Sequence, residues 1–153
     1  MRFVTAYSLQ DAARGPAQIA SFQVIPGDKG VGVRLIVNEL PYTGPQQAGL
    51  LVTGQEQDPL TGPRTRFAPV VPGPQSFILA DRLAYCRFSF QEPIPDAPFR
   101  RWRPDWTNPQ RLPLGIRIEM APLRTTPGEL QVSTITVPVY LTRDTMSIYT
   151  DAY

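Results

Sequence analysis

The stretch "AQIASFQVIPGDKGVGVRLIVNEL", residues 17–40, decides the fold class. It holds two runs of alternating polarity on either side of "PGDKG". Val31, Val33, Leu35 and Val37 share one face of the second run, the period-2 signature of a half-buried strand. Pro26, Gly27 and Gly30 are turn residues, so the two runs read as neighbouring antiparallel strands. Upstream, "MRFVTAYSL" alternates as well, with Phe3, Thr5 and Tyr7 on one face and Val4, Ala6 and Ser8 on the other. Three such runs make an antiparallel meander at the start of the chain.

Composition agrees with β structure. The chain has 153 residues, the size of one domain, with 42% hydrophobic residues, 18 prolines and 11 glycines. Prolines spread through Pro41, Pro45, Pro59, Pro63, Pro69, Pro72 and Pro74 leave little room for long helices. No linker and no internal repeat divides the sequence, so residues 1–153 are expected to form a single β-rich domain of antiparallel sheets.

The middle of the chain is less regular. "GLLVTG" and "RFAPVVPGP" are short apolar runs around the turn material "QDPLTGPRT", and edge strands with loops are expected there. "SFILADRL" fits either a strand or a helical turn. "AYCRFSFQ" is clearer: Ala84, Cys86, Phe88 and Phe90 form one row, and Tyr85, Arg87, Ser89 and Gln91 form the other. "LPLGIRIEM" puts Leu112, Leu114, Ile116, Ile118 and Met120 inward, with Gly115, Arg117 and Glu119 facing away. "STITVPVYL" repeats the pattern with Ile135, Val137, Val139 and Leu141 inward. Pro138 on its outer face marks an edge strand or a bulge.

Few residues suggest chemistry. The chain has no histidine, which excludes histidine bases and histidine-ligated metal. Cys86 is the lone cysteine, so there is no intrachain disulfide or thiolate cluster, and it reads as a small core residue. Glu92, Asp96 and Asp105 are loop carboxylates without a recognisable catalytic spacing, and no Gly-rich phosphate loop occurs. "LPYTG", residues 40–44, matches the cell-wall sorting signal of Gram-positive bacteria. It lacks the apolar span and basic tail such a signal needs, and reads as a strand end entering a turn. No catalytic, cofactor or metal site is expected.

The net charge is +2, and only Lys29 among fifteen basic residues is lysine. So small an excess gives no general attraction to phosphate or anionic lipid. One local cluster remains: Arg100, Arg101 and Arg103 around Trp102, with Trp106 close behind. These five are the candidate contact residues. They are read first as structural or protein-interface residues, with a tryptophan capping the core where a loop enters a strand and a guanidinium on its indole, or meeting a neighbouring protein. The alternative is a charge and stacking surface for a sugar or single-stranded nucleic acid, but Glu92, Asp96 and Asp105 dilute the patch and no nucleic acid partner is expected.

A strand ending in aromatics ("LAYCRFSFQ"), a Pro-rich excursion, the tryptophans of "RRWRPDW" and then "LPLGIRIEM" follow one another in an order that resembles a known family. It is similar to the C-terminal half of J-type minor pseudopilins of the type II secretion system (general secretion pathway protein J). The resemblance rests on Phe88, Phe90, Trp102, Trp106, Leu112, Pro113, Ile116, Arg117 and Ile118. "FVTAYSL" and "GVRLIVNELPYTG" look like the family's earlier strands.

The resemblance implies a non-catalytic structural subunit of the pseudopilus tip, without cofactors. Its head would stand in the periplasm and assemble with I- and K-type minor pseudopilin heads for protein export, with secreted cargo or the outer-membrane channel as further contacts. The full-length family member is α+β and pilin-like, held in the inner membrane by a long N-terminal helix that this chain does not contain. A head alone is then expected, with the apolar sheet face that meets the helix left bare. A minor pilin of a type IV pilus is the neighbouring reading. A β-rich ligand-binding module using Trp102 and Trp106 is the reading from a different class.

Overall fold

A computed structural model of the chain describes residues 1–58, 62–74, 76–93, 100–106, 108, 111–124 and 133–140. It is mainly β, with antiparallel sheets. The elements are β1 (Arg2–Ser8), β2 (Ala13–Pro26), β3 (Val33–Pro41), α1 (Pro45–Leu50), β4 (Val52–Asp58), β5 (Gly62–Phe67), β6 (Ser76–Pro93), β7 (Arg100–Arg103), β8 (Gly115–Pro122) and β9 (Ser133–Pro138). They gather into two compact units, Met1–Leu83 and Ala84–Tyr153. The division falls within β6, just after Arg82, whose φ of 51° interrupts the strand's extended backbone.

In the first unit the expected meander forms. β1 pairs with β2 and β2 with β3, both antiparallel, and β3 pairs with the first half of β6. The "PGDKG" stretch holds a single 3-10 turn, Asp28–Gly30. Gly27 is required there: a Cβ on it would lie 2.2 Å from the Val31 carbonyl oxygen. "SFILADRL" is strand, the opening of β6. "LPYTG" ends β3 and turns into α1, which begins on Pro45, a residue suited to a helix's first position. β4 and β5 form a separate two-stranded sheet.

The pairing register sorts this unit's side chains onto two faces. One face carries a polar row running across four strands, Arg2, Ser21, Asn38 and Ser76. Arg2 Nε donates to Ser21 Oγ at 2.7 Å, and Ser76 Oγ donates to Asn38 Oδ1 at 3.0 Å. Residues 67–70 are tied over this face. Arg2 Nη2 donates to the Ala68 carbonyl at 3.0 Å, its guanidinium lies 5.2 Å from the Phe67 ring centroid, and Val70 N–H donates to Gln23 Oε1 at 2.6 Å. Ile19 and Ile36 share the same face and are buried.

The other face of the first unit carries Ala20, Phe22, Leu35 and Val37, with Phe3 stacked on Phe22 at 5.7 Å between ring centroids. Val37 pairs with Phe22 on one side and Phe77 on the other and is fully enclosed. Glu39 is buried here too. Its carboxylate accepts from Ser8 Oγ at 2.8 Å and from Leu9 N–H at 2.7 Å, which satisfies both oxygens and pins the end of β1.

In the second unit, β6 pairs with β7 and β8, and β8 pairs with β9 at the sheet edge. Pro138 is the last residue of β9, on that edge, where a missing N–H is tolerated. Cys86 is a buried free thiol, and burial pushes its pKa up, away from the reactive thiolate. The expected inward rows are corrected here. Ile135 and Val137 do not face a core but are about half exposed, at 47% and 50%, and Leu112 is exposed as well. Ile135 and Val137 share a face with their β8 partners Ile118 and Ile116, which are half-buried. Leu141 and Asp96 lie outside the described residues.

A cationic tryptophan recess as the candidate site

Residues 100–103, expected as loop, form strand β7. It lies antiparallel to the end of β6, with Phe90 opposite Arg103, Gln91 opposite Trp102, Glu92 opposite Arg101 and Pro93 opposite Arg100. The alternation that makes it a strand is charge against aromatic: Trp102 points to one face, Arg101 and Arg103 to the other. β8 meets β6 at the same place, since Leu114 N–H donates to the Gln91 carbonyl at 2.9 Å. Two strands engaging one residue occupy opposite edges of β6. Trp102 therefore starts on one edge and reaches across to β8 on the other.

What it reaches is Gly115 and Arg117. A Cβ on Gly115 would stand 3.6 Å from Trp102 Cη2, an ordinary contact distance, so the indole lies against the backbone at the start of β8. The Arg117 guanidinium lies 3.9 Å from the Trp102 ring centroid, a close cation–π stack. The stacking partner is thus an arginine fifteen positions away, not one of the flanking three. Arg117 Nε is buried and has no hydrogen-bond partner, and Arg117 makes no ion pair among the described residues. Around this stack lies an open recess of about 450 Å³ whose walls include Arg87, Ser89, Trp102, Arg103, Arg117 and Glu119.

The arginines of the sequence cluster have separate tasks. Arg101 and Arg103 both turn to Glu92, at 3.0 Å and 3.4 Å, so one carboxylate is shared between two guanidiniums. Glu92, expected as a loop carboxylate, lies near the end of strand β6 and serves these two guanidiniums. Arg100 is exposed at the start of β7. Trp106 does not join Trp102 as a paired shelf. Its indole Nε1–H donates to the Arg111 carbonyl at 2.8 Å, and Arg111 N–H donates to Asn108 Oδ1 at 3.2 Å, which closes the turn ahead of β8.

Arg87, Ser89, Arg117 and Glu119 were not singled out by the sequence cluster. The signal for them was present in the two outward rows, Arg87–Ser89–Gln91 and Gly115–Arg117–Glu119, which the pairing of β6 with β8 merges into one polar face. No group of metal-binding side chains occurs among the described residues, and no helix there is long and apolar enough to cross a membrane. No family model, curated protein or solved structure matches the chain.

Proposed function

We propose that the chain is the head of a J-type minor pseudopilin, a non-catalytic subunit that works by burying surface against I- and K-type heads at the tip of a type II secretion pseudopilus. In this reading the head stands in the periplasm and the full-length protein is anchored in the inner membrane. The observation that carries the reading is the set of large apolar side chains left on strand faces. Phe3, Tyr7, Ile78, Leu79, Ile135 and Val137 are each more than 40% exposed. Apolar surface of this kind is suited to contact with another protein surface. Of the residues that carry the resemblance, Phe88, Phe90, Trp102, Ile116, Arg117 and Ile118 fall on strands β6, β7 and β8, which agrees with the β-rich head the reading calls for.

Tryptophan and arginine anchors carry a large share of binding energy at protein contacts, and Trp102, Trp106, Arg100, Arg101 and Arg103 are the anchors assigned here. The ligand-module reading has less support. One face of the Trp102 indole is already covered by Arg117, and the Trp106 N–H is engaged within its own turn. The test is a titration of this chain against I- and K-type heads by sedimentation velocity. A stable complex at about 50 µM supports the reading, and none at that concentration overturns it.

A further inference from the structure

We propose that the recess beside Trp102 is a carboxylate-binding site that takes an Asp or Glu side chain from an acidic peptide segment of a partner protein. The proposal rests on the reading of this surface as a protein contact, but not on the family.

Charge is the first argument. Three guanidiniums, Arg87, Arg103 and Arg117, stand at the recess against one carboxylate, Glu119. Arg103 is already drawn to Glu92, and Arg87 lies over the Tyr85 ring at 5.2 Å. Arg117 is different. It is held against the indole at 3.9 Å, its Nε is sealed from water, and it has no anionic partner among the described residues. Its terminal nitrogens are the part left to bind. A guanidinium held in place on an indole is pre-organised for an acceptor with two oxygens, because its planar fork matches a carboxylate.

The walls then choose among anions. Glu119 opposes a group with two or more negative charges, which disfavours phosphates and the closely spaced charges of a nucleic acid strand. Phe88, Pro104 and the Trp102 edge add apolar surface beside the cation. A single carboxylate with apolar neighbours, as on a peptide, meets both features. Ser89 offers a hydroxyl to a peptide group at the same wall.

The experiment uses the full chain and a labelled peptide, acetyl-Ala-Leu-Asp-Phe-Ala-amide, followed by fluorescence anisotropy. Its Asn counterpart, a trigalacturonate and an oligothymidylate are the comparison probes. The Asp peptide should bind saturably and at least about tenfold more tightly than the Asn peptide, in line with a charge-assisted hydrogen-bonded pair. Arg117→Gln should weaken it about tenfold, and Arg117→Lys nearly as much, because an ammonium lacks the planar fork. Arg14→Gln, at an exposed position of β2 outside the recess, should change affinity less than about twofold. Circular dichroism of each variant confirms that it folds.

Equal binding of the Asp and Asn peptides, no loss on Arg117→Gln, or no binding at all overturns the proposal. Tighter, Arg117-dependent binding of the uronate or the oligonucleotide overturns it too, in favour of a different partner. Peptide binding without a complex of heads removes the family reading and leaves the recess standing. A complex of heads without peptide binding does the reverse.

Discussion

The β2–β3 ladder and the β8–β9 ladder are built from the same kind of alternating strand, yet they finish differently. Across β2 and β3, consecutive residues are buried: Ile19, Ala20 and Ser21 on one strand and Leu35, Ile36 and Val37 on the other. Both faces there are covered, one of them by residues 67–70 tied down through Arg2 and Gln23. β8 carries Ile116 and Ile118 and β9 carries Val137 and Ile135 on one face, and those β9 residues stay about half exposed. The same hydrophobic alternation therefore yields core in one unit and exposed apolar surface in the other. What separates them is whether another stretch of chain folds over the strand and is pinned there.

Truncation in each ladder gives the largest expected difference. Leu35→Ala removes a side chain that is only 3% exposed. It should cost about 2–5 kcal/mol, from lost burial and the cavity left behind. Ile135→Ala, at a site already half in water, should cost less than about 1 kcal/mol. Urea denaturation of both variants reads the contrast. Similar losses at the two positions would break it, and would mean that the β8–β9 face is covered by residues outside those described.

How much of this difference could be read from the sequence follows the same physics. The meander was legible because its period-2 rows are interrupted only by a turn in which Gly27 is sterically required. The burial of Cys86 was legible from the same alternation, as was the edge position of Pro138. Inwardness was not. Alternation tells which residues share a face, but Ile135 and Val137 show that it does not tell whether the face is covered. Coverage depends on contacts such as Arg2 to Ala68, 66 positions apart, which no local pattern records.

The opening of β6 was ambiguous because Asp81 and Arg82 break its alternation. α1 was missed altogether, six residues being too few to show a helical period. The candidate site was half legible. Trp102 and the flanking arginines stand out in the sequence, and an indole capped by a guanidinium is one of the arrangements the sequence admits. That Arg117 supplies the guanidinium depends on β7 and β8 flanking the same residue of β6, which is a matter of register. Chemistry-bearing residues here are adjacent across strands rather than along the chain.

Arg2 sharpens the comparison at an intermediate scale. It holds the roof of the first unit through Ser21, the Ala68 carbonyl and the Phe67 ring. Arg2→Ala should cost about 1–3 kcal/mol, since charge-assisted hydrogen bonds are lost while the unpartnered Nη1 is relieved. Hydrogen exchange then gives the regional detail. Val70 N–H, bonded to Gln23 Oε1, should lose protection first, while amides of the β8–β9 ladder should keep theirs. A uniform loss across both units would mean that the roof and the second unit unfold together, and that the two regions are not separable in the way described.

The smallest effect belongs to Glu92, and it tests whether the second unit's charged surface is built for stability at all. Arg101 and Arg103 both reach its carboxylate, but the Arg101 side chain is 62% exposed and the Arg103 contact is 3.4 Å long. Ion pairs of this kind contribute between nothing and about 1 kcal/mol, so Glu92→Gln should shift the denaturation midpoint only slightly. Its other consequence is larger. Removing one negative charge beside two arginines raises the positive potential next to the Trp102 recess, and association with an anionic partner should become faster and more salt-sensitive. A variant that loses several kcal/mol instead would make Glu92 a structural keystone of β6 and β7. In that case the arginines at this face would be explained by folding, and the contrast between an enclosed ladder and an open one would lose the charged surface as a second difference.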